Sequence, residues 1–182
     1  MTAQDMIEAI SRGQIDCIVG PMTWMISYPI MDSIKSVVDY PFGINTTAVS
    51  FLMNRDTWLS LSPSERKVML KYAPEVTARK IVTFVKEHDL GRQQAIKRGI
   101  VVTKGGADFA TMLDKHRKTE LVRAAETARK IGAKDPETVT AAFFKNLEKW
   151  EEIIAKMPVT IDAYKNALRE VIYTRVDINH FD

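Results

Sequence analysis

The stretch from Ser62 to Arg98 constrains the fold more than any other part of the chain. Ser62-Pro63-Ser64-Glu65 is a helix start. Ser62 suits the cap, Pro63 the first helical position, and Glu65 is placed to reach back to the capping residue. From there to Gly99 the pattern is helical, with Ile81, Phe84 and Val85 on one face at i, i+3, i+4 spacing. Pro74 has no amide hydrogen and crowds the preceding turn. It predicts a kink or a restart, with a second stretch running from Glu75 to Arg98.

Shorter elements are expected around this helix. Residues 2–12 read as a helix capped by Thr2 and Asp5, with Met6, Ile7 and Ile10 as its apolar stripe and Gly13 as its end. Ile15-Asp16-Cys17-Ile18-Val19 reads as a buried strand. Residues 21–35 suggest one or two short helices broken by Pro29. Val37-Val38 leads into a turn at Tyr40-Pro41-Phe42-Gly43. The run Thr46 to Met53 is apolar rather than alternating, as in a strand covered on both faces. Ile100-Val101-Val102-Thr103 reads as a third strand, and Gly105-Gly106 as a turn. Residues 107–131 form a helix with Phe109, Met112 and Leu113. Asp135-Pro136 opens another, with Val139, Phe143, Leu147, Trp150, Ile154 and Met157 on one stripe, closed by Pro158. Thr160 or Asp162 caps a last helix bearing Ile161, Tyr164, Leu168 and Val171.

The expected architecture is α/β and helix-dominated. It is read as one unit over 1–182: strand-containing portions at 1–60 and 99–104, a long kinked helix over 62–98, and a helical C-terminal part over 107–174.

Composition narrows the function classes. Hydrophobic residues make up 46% of the 182, enough for an ordinary core. Charged residues make up 27% and nearly cancel, leaving +3, so no long-range field favours nucleic acid. The single cysteine allows no internal disulfide. No apolar run approaches the roughly 20 residues that span a bilayer. The N-terminal residues lack the basic and apolar regions of a signal peptide, so the chain as given would stay in the cytoplasm.

Candidate chemistry is sparse. His88, His116 and His180 are far apart, and Glu120 or Asp177 beside two of them gives only two ligands each, short of a metal site. Cys17 reads as an inert core thiol within its strand. There is no phosphate loop, dinucleotide glycine pattern or cofactor motif. Lys115-His116-Arg117-Lys118 has no interleaved aromatics and reads as a solvated helix face. No nucleophile, base and orienting group can be named together, so an enzyme is not expected. Asp16, a carboxylate in an apolar strand, should be paired if buried, either holding a turn or facing a site. Two places could line a ligand crevice of the kind found at the carboxyl ends of strands. The first is Gly20 to Trp24, where Gly20 would allow close backbone approach and Trp24 would be a stacking wall or a core residue. The second is Asn45, Thr46 and Thr47, a hydrogen-bonding rim or ordinary turn chemistry.

The order of the motifs adds a further expectation. Ile7-Glu8-Ala9-Ile10-Ser11-Arg12-Gly13-Gln14-Ile15-Asp16-Cys17 resembles the A-L-x-x-G-x-V-D-G segment of solute-binding proteins from TRAP transporters, the tripartite ATP-independent periplasmic carriers. Val49 to Trp58 is similar to the family's L-x-N-x-x-x-W/Y piece, and Leu61 to Glu65 to its L-P/S-x-x-E helix start. Arg98 to Val102 is similar to its x-G-V-x-V strand. The likeness runs from about residue 7 to about 115 and is loose beyond.

That resemblance implies the later part of a two-lobed, type II periplasmic-binding fold with a lobe-bridging helix. It implies a periplasmic protein that encloses an organic acid, such as a dicarboxylate, and delivers it to membrane permease subunits. The family's clamping arginine lies before the matched segment, so the resemblance implies a chain lacking the N-terminal lobe. Cys17 replaces the usual glycine, and no polar side chain follows it in Ile18-Val19-Gly20-Pro21, which suggests a more apolar pocket wall. The family's second polar contact falls near Thr46. The alternative is a helical interaction module, with residues 136–174 presenting apolar faces to a partner or forming a homodimer.

Overall fold

The computed structural model describes residues 2–42 and 52–178. The chain is helix-dominated and divides into two compact units, residues 40–42 with 104–158 forming one and the remaining residues the other. No described helix is long and apolar enough to cross a membrane.

In the larger unit, α1 (Ala3–Ser11) starts from a complete capping box. The Thr2 hydroxyl accepts from Asp5 N–H and the Asp5 carboxylate accepts from Thr2 N–H. The helix ends at Gly13, whose φ of +67° is a left-handed conformation that a glycine adopts without steric cost. The next segment corrects the strand expected at Ile15–Val19: it is not a strand. Only Ile15 and Ile18 turn inward, and Asp16 and Cys17 are exposed. The inward positions are three apart rather than alternating. Asp16 is therefore solvated and needs no buried partner, and Cys17 is not a core thiol.

Pro29 breaks the following stretch as expected, separating α2 (Trp24–Ser27) from a 3-10 turn at Pro29–Asp32. Val37-Val38, read as a lead-in to a turn, belongs to β1 (Ser36–Val38). It pairs in parallel with β2 (Val101–Thr103), Val37 opposite Val102. Those two valines face the core, which contains Ile7, Met22, Met25, Ile30, Ala95 and Ile100. Val38 and Val101 on the other face are exposed. Of the strand expected at Thr46–Met53, only Leu52 and Met53 are described, and neither is in a strand.

After α3 (Arg55–Ser60), capped by Asn54 Oδ1 accepting from the Asp56 and Thr57 amides, α4 runs from Pro63 to Lys97. Ser62 and Glu65 make the expected capping box. Hydrogen bonds from the Ser62 side chain and then its backbone hold the Glu65 carboxyl below its usual range. The helix does not restart at Pro74; it continues through it. Pro74 is fully buried, as are Ala73, Ala78 and Val82 of the same helix, and α4 packs against α7 (Ile161–Val171), whose Tyr164 and Leu168 are buried. Burial of these small and apolar side chains stabilises the helix enough to offset one missing backbone hydrogen bond. Thr160, not Asp162, caps α7, its hydroxyl accepting from Ala163 N–H.

The smaller unit is a pair of helices, α5 (Ala107–Lys130) and α6 (Pro136–Ala155). Tyr40 and Phe42 stack edge-on against Phe109, and Arg117 donates to the Pro41 carbonyl. Leu113, Ala125 and Pro136 are buried. Much of the expected α6 stripe is not: Val139 is 64% exposed and Phe143 51%.

Candidate functional site

At the carboxyl end of β1 three charged or titratable side chains, Asp39, His88 and Arg92, come together. Asp39 directly follows β1, and its amide extends the ladder by donating to the Thr103 carbonyl at 2.7 Å. Its side chain is largely buried between two residues one turn apart on α4. His88 Nε2 lies 3.4 Å from one carboxylate oxygen, and Arg92 Nε lies 3.3 Å from the other.

The arginine is imperfectly matched. Its Nε is buried and close enough for an ion pair, yet not aligned for a hydrogen bond. Its terminal nitrogens make no hydrogen bond among the described residues, and the side chain is 39% exposed. The fork of donors that suits a carboxylate therefore remains open on one side.

The segment from Gly20 to Trp24 reaches the same stretch of α4. A Cβ on Gly91 would lie 2.3 Å from the Met22 carbonyl oxygen, so the helix and the turn touch backbone to backbone only because residue 91 is glycine. Gly20 does permit a close approach, but by an aromatic ring: a Cβ there would stand 2.5 Å from Trp24 Cε3. Trp24 is half-buried and meets Tyr28 edge-on at 5.8 Å between centroids. Asn45, Thr46 and Thr47 lie outside the described residues.

Sequence reasoning found the Gly20–Trp24 turn but missed the charged trio. Asp39 follows a strand that reads, from sequence, only as the lead-in to a turn. His88 was weighed only as a metal ligand, and Arg92 was not singled out. The available signal was the i, i+4 spacing of His88 and Arg92 on the long helix, which places both on one face. Among the described residues, no cluster of His, Cys, Asp and Glu could hold a metal ion.

No protein-family model, curated protein or solved structure matches the chain.

Proposed function

We propose that the chain is a solute-binding protein of the TRAP type, with a two-lobed periplasmic-binding fold, that takes an organic acid at the carboxyl end of its parallel strands for delivery to membrane permease subunits. The observation that supports this most is the open guanidinium of Arg92, held by Asp39 at the end of β1 beside the Gly20–Trp24 turn. Arg92 supplies the cation for the ligand carboxylate, Asp39 orients it, and Trp24 forms an apolar wall. Thr46 and its neighbours would contribute the polar rim. No bond is made or broken. Binding drives closure only to the extent that the acid prefers the closed state.

The experiment is a series of thermal melts against mono- and dicarboxylic acids. A ligand that binds the folded chain stabilises it by about 2.7 kcal/mol at a hundredfold excess over Kd. Arg92→Gln, checked for retained helicity, should abolish the shift. A shift that survives in Arg92→Gln would remove this site, and no shift with any acid would remove the reading.

A second reading rests on α6. Val139 and Phe143 lie on its apolar stripe yet are largely exposed, and such a face favours association. Here the chain is an interaction module that pairs with a partner helix or a second copy. Native mass measured over a wide concentration range tests self-association. A monomer throughout would remove the homodimer.

A further inference from the structure

Asp39 carries a carboxylate to which no donor is aligned among the described residues. Its side chain is only 16% exposed and lies against His88 Nε2 at 3.4 Å and Arg92 Nε at 3.3 Å. Both contacts are ion pairs by distance, yet among the described residues the carboxylate accepts no hydrogen bond. A carboxylate taken largely out of water ordinarily collects such bonds, because lost hydration is costly when nothing replaces it. The backbone amide of Asp39 is committed to the Thr103 carbonyl, so the residue is fixed in place while its acid group is left over.

Arg92 is the complementary half. Its terminal nitrogens make no hydrogen bond among the described residues. An unused cationic fork and an unused anionic acceptor therefore stand in contact. Together they carry no net charge, and His88 adds one only when protonated. A plain carboxylate on Arg92 would bring a second negative charge to Asp39, and a dicarboxylate a third. Like charges that close in a partly desolvated site are unfavourable. A zwitterion adds no net charge. An α-amino acid bears its ammonium and its carboxylate on one carbon, so its two charges are spaced to meet an anion and a cation that touch each other.

We propose that the organic acid taken by this site is an α-amino acid. Its carboxylate docks on the terminal nitrogens of Arg92, and its ammonium donates to the Asp39 carboxylate. The ligand thereby supplies the aligned donor that neither His88 nor Arg92 provides. The proposal rests on the reading of Arg92 as the carboxylate anchor and narrows it. An apolar side chain on the ligand suits the wall assigned there to Trp24.

Three probes are titrated at neutral pH into the ¹⁵N-labelled chain and followed by amide chemical shifts. They are L-phenylalanine, hydrocinnamate, which lacks the ammonium, and phenethylamine, which lacks the carboxylate. L-Phenylalanine should give saturable shifts around residues 37–40 and 88–92. It should bind at least about tenfold more tightly than either analogue, each of which leaves one charged group of the site unpaired. Asp39→Asn should weaken L-phenylalanine by a similar factor without weakening hydrocinnamate, whereas Arg92→Gln should weaken both. Hydrocinnamate binding as tightly as L-phenylalanine, and dependent on Arg92, would overturn the amino-acid proposal and leave the carboxylate reading standing. Binding of none of the three probes would overturn the proposal, as would L-phenylalanine binding unchanged in folded Asp39→Asn. If Asp39→Asn does not fold, the comparison of the three probes on the unaltered chain decides the matter.

Discussion

The ring of Trp24 fills the space in which a side chain at Gly20 would stand, with Cε3 only 2.5 Å from the position of a Cβ. The turn is thereby shaped by one missing side chain and one large one. Trp24 is half-buried and lies over the Gly20 backbone rather than deep in the core.

Gly20→Ala should force the ring aside. A half-buried indole can move, so the cost is that of modest overpacking, about 1–2 kcal/mol. Urea unfolding would give the loss, and near-UV circular dichroism would report a changed tryptophan signal. An unchanged spectrum and stability would mean that the ring and Gly20 are not in contact.

Gly91→Ala brings two opposing effects. Alanine favours the helix by about 1 kcal/mol over glycine. The new Cβ, however, meets the Met22 carbonyl oxygen at 2.3 Å, and backbone cannot yield as a side-chain tip can. Overpacking of this kind costs about 1–3 kcal/mol, so net destabilisation is expected in denaturant unfolding. A gain in stability would show that the turn can move away from α4 at little cost.

Cys17 is an exposed free thiol. A thiol reagent such as dithiobis-nitrobenzoate should label the native chain fully without denaturant. Labelling that waits for unfolding would return Cys17 to a buried position.

The start of α4 should be acid-sensitive. Glu65 titrates below its ordinary value of 4.5 in the folded chain because Ser62 hydrogen-bonds its ionised form. Its contribution is therefore present above that value and is lost as pH falls through the lower, folded pKa. Amide exchange at residues 64–66 should rise below about pH 4.5 in the native chain. In Glu65→Gln it should be raised at all pH values and lose that dependence. Ser62→Ala removes the cap itself and should cost roughly 0.5–2 kcal/mol.

What the sequence made legible follows local chemistry. Thr2, Ser62 and Thr160 cap helices as their spacing implies, because a cap is decided within four residues. Pro29 and Gly13 act where they stand for the same reason. Strands were harder, since a strand exists only with a partner to complete its ladder. Ile15–Val19 has the composition of a strand but not the pairing, and Val37-Val38 has the pairing with little composition to announce it. The restart expected at Pro74 is absent because Pro74 is fully buried in a helix packed against α7, far along the chain, and that burial outweighs a local defect. The candidate site was half legible. Gly20 and Trp24 are neighbours in sequence, whereas Asp39 meets His88 and Arg92 only through the parallel crossover.

The most direct test of the account is isothermal titration of the chain with the organic acid that gives the largest thermal shift. The account predicts one saturable site per chain, lost in Arg92→Gln and weakened in Trp24→Ala. No measurable heat with any acid, or binding indifferent to Arg92 and Trp24, would contradict it.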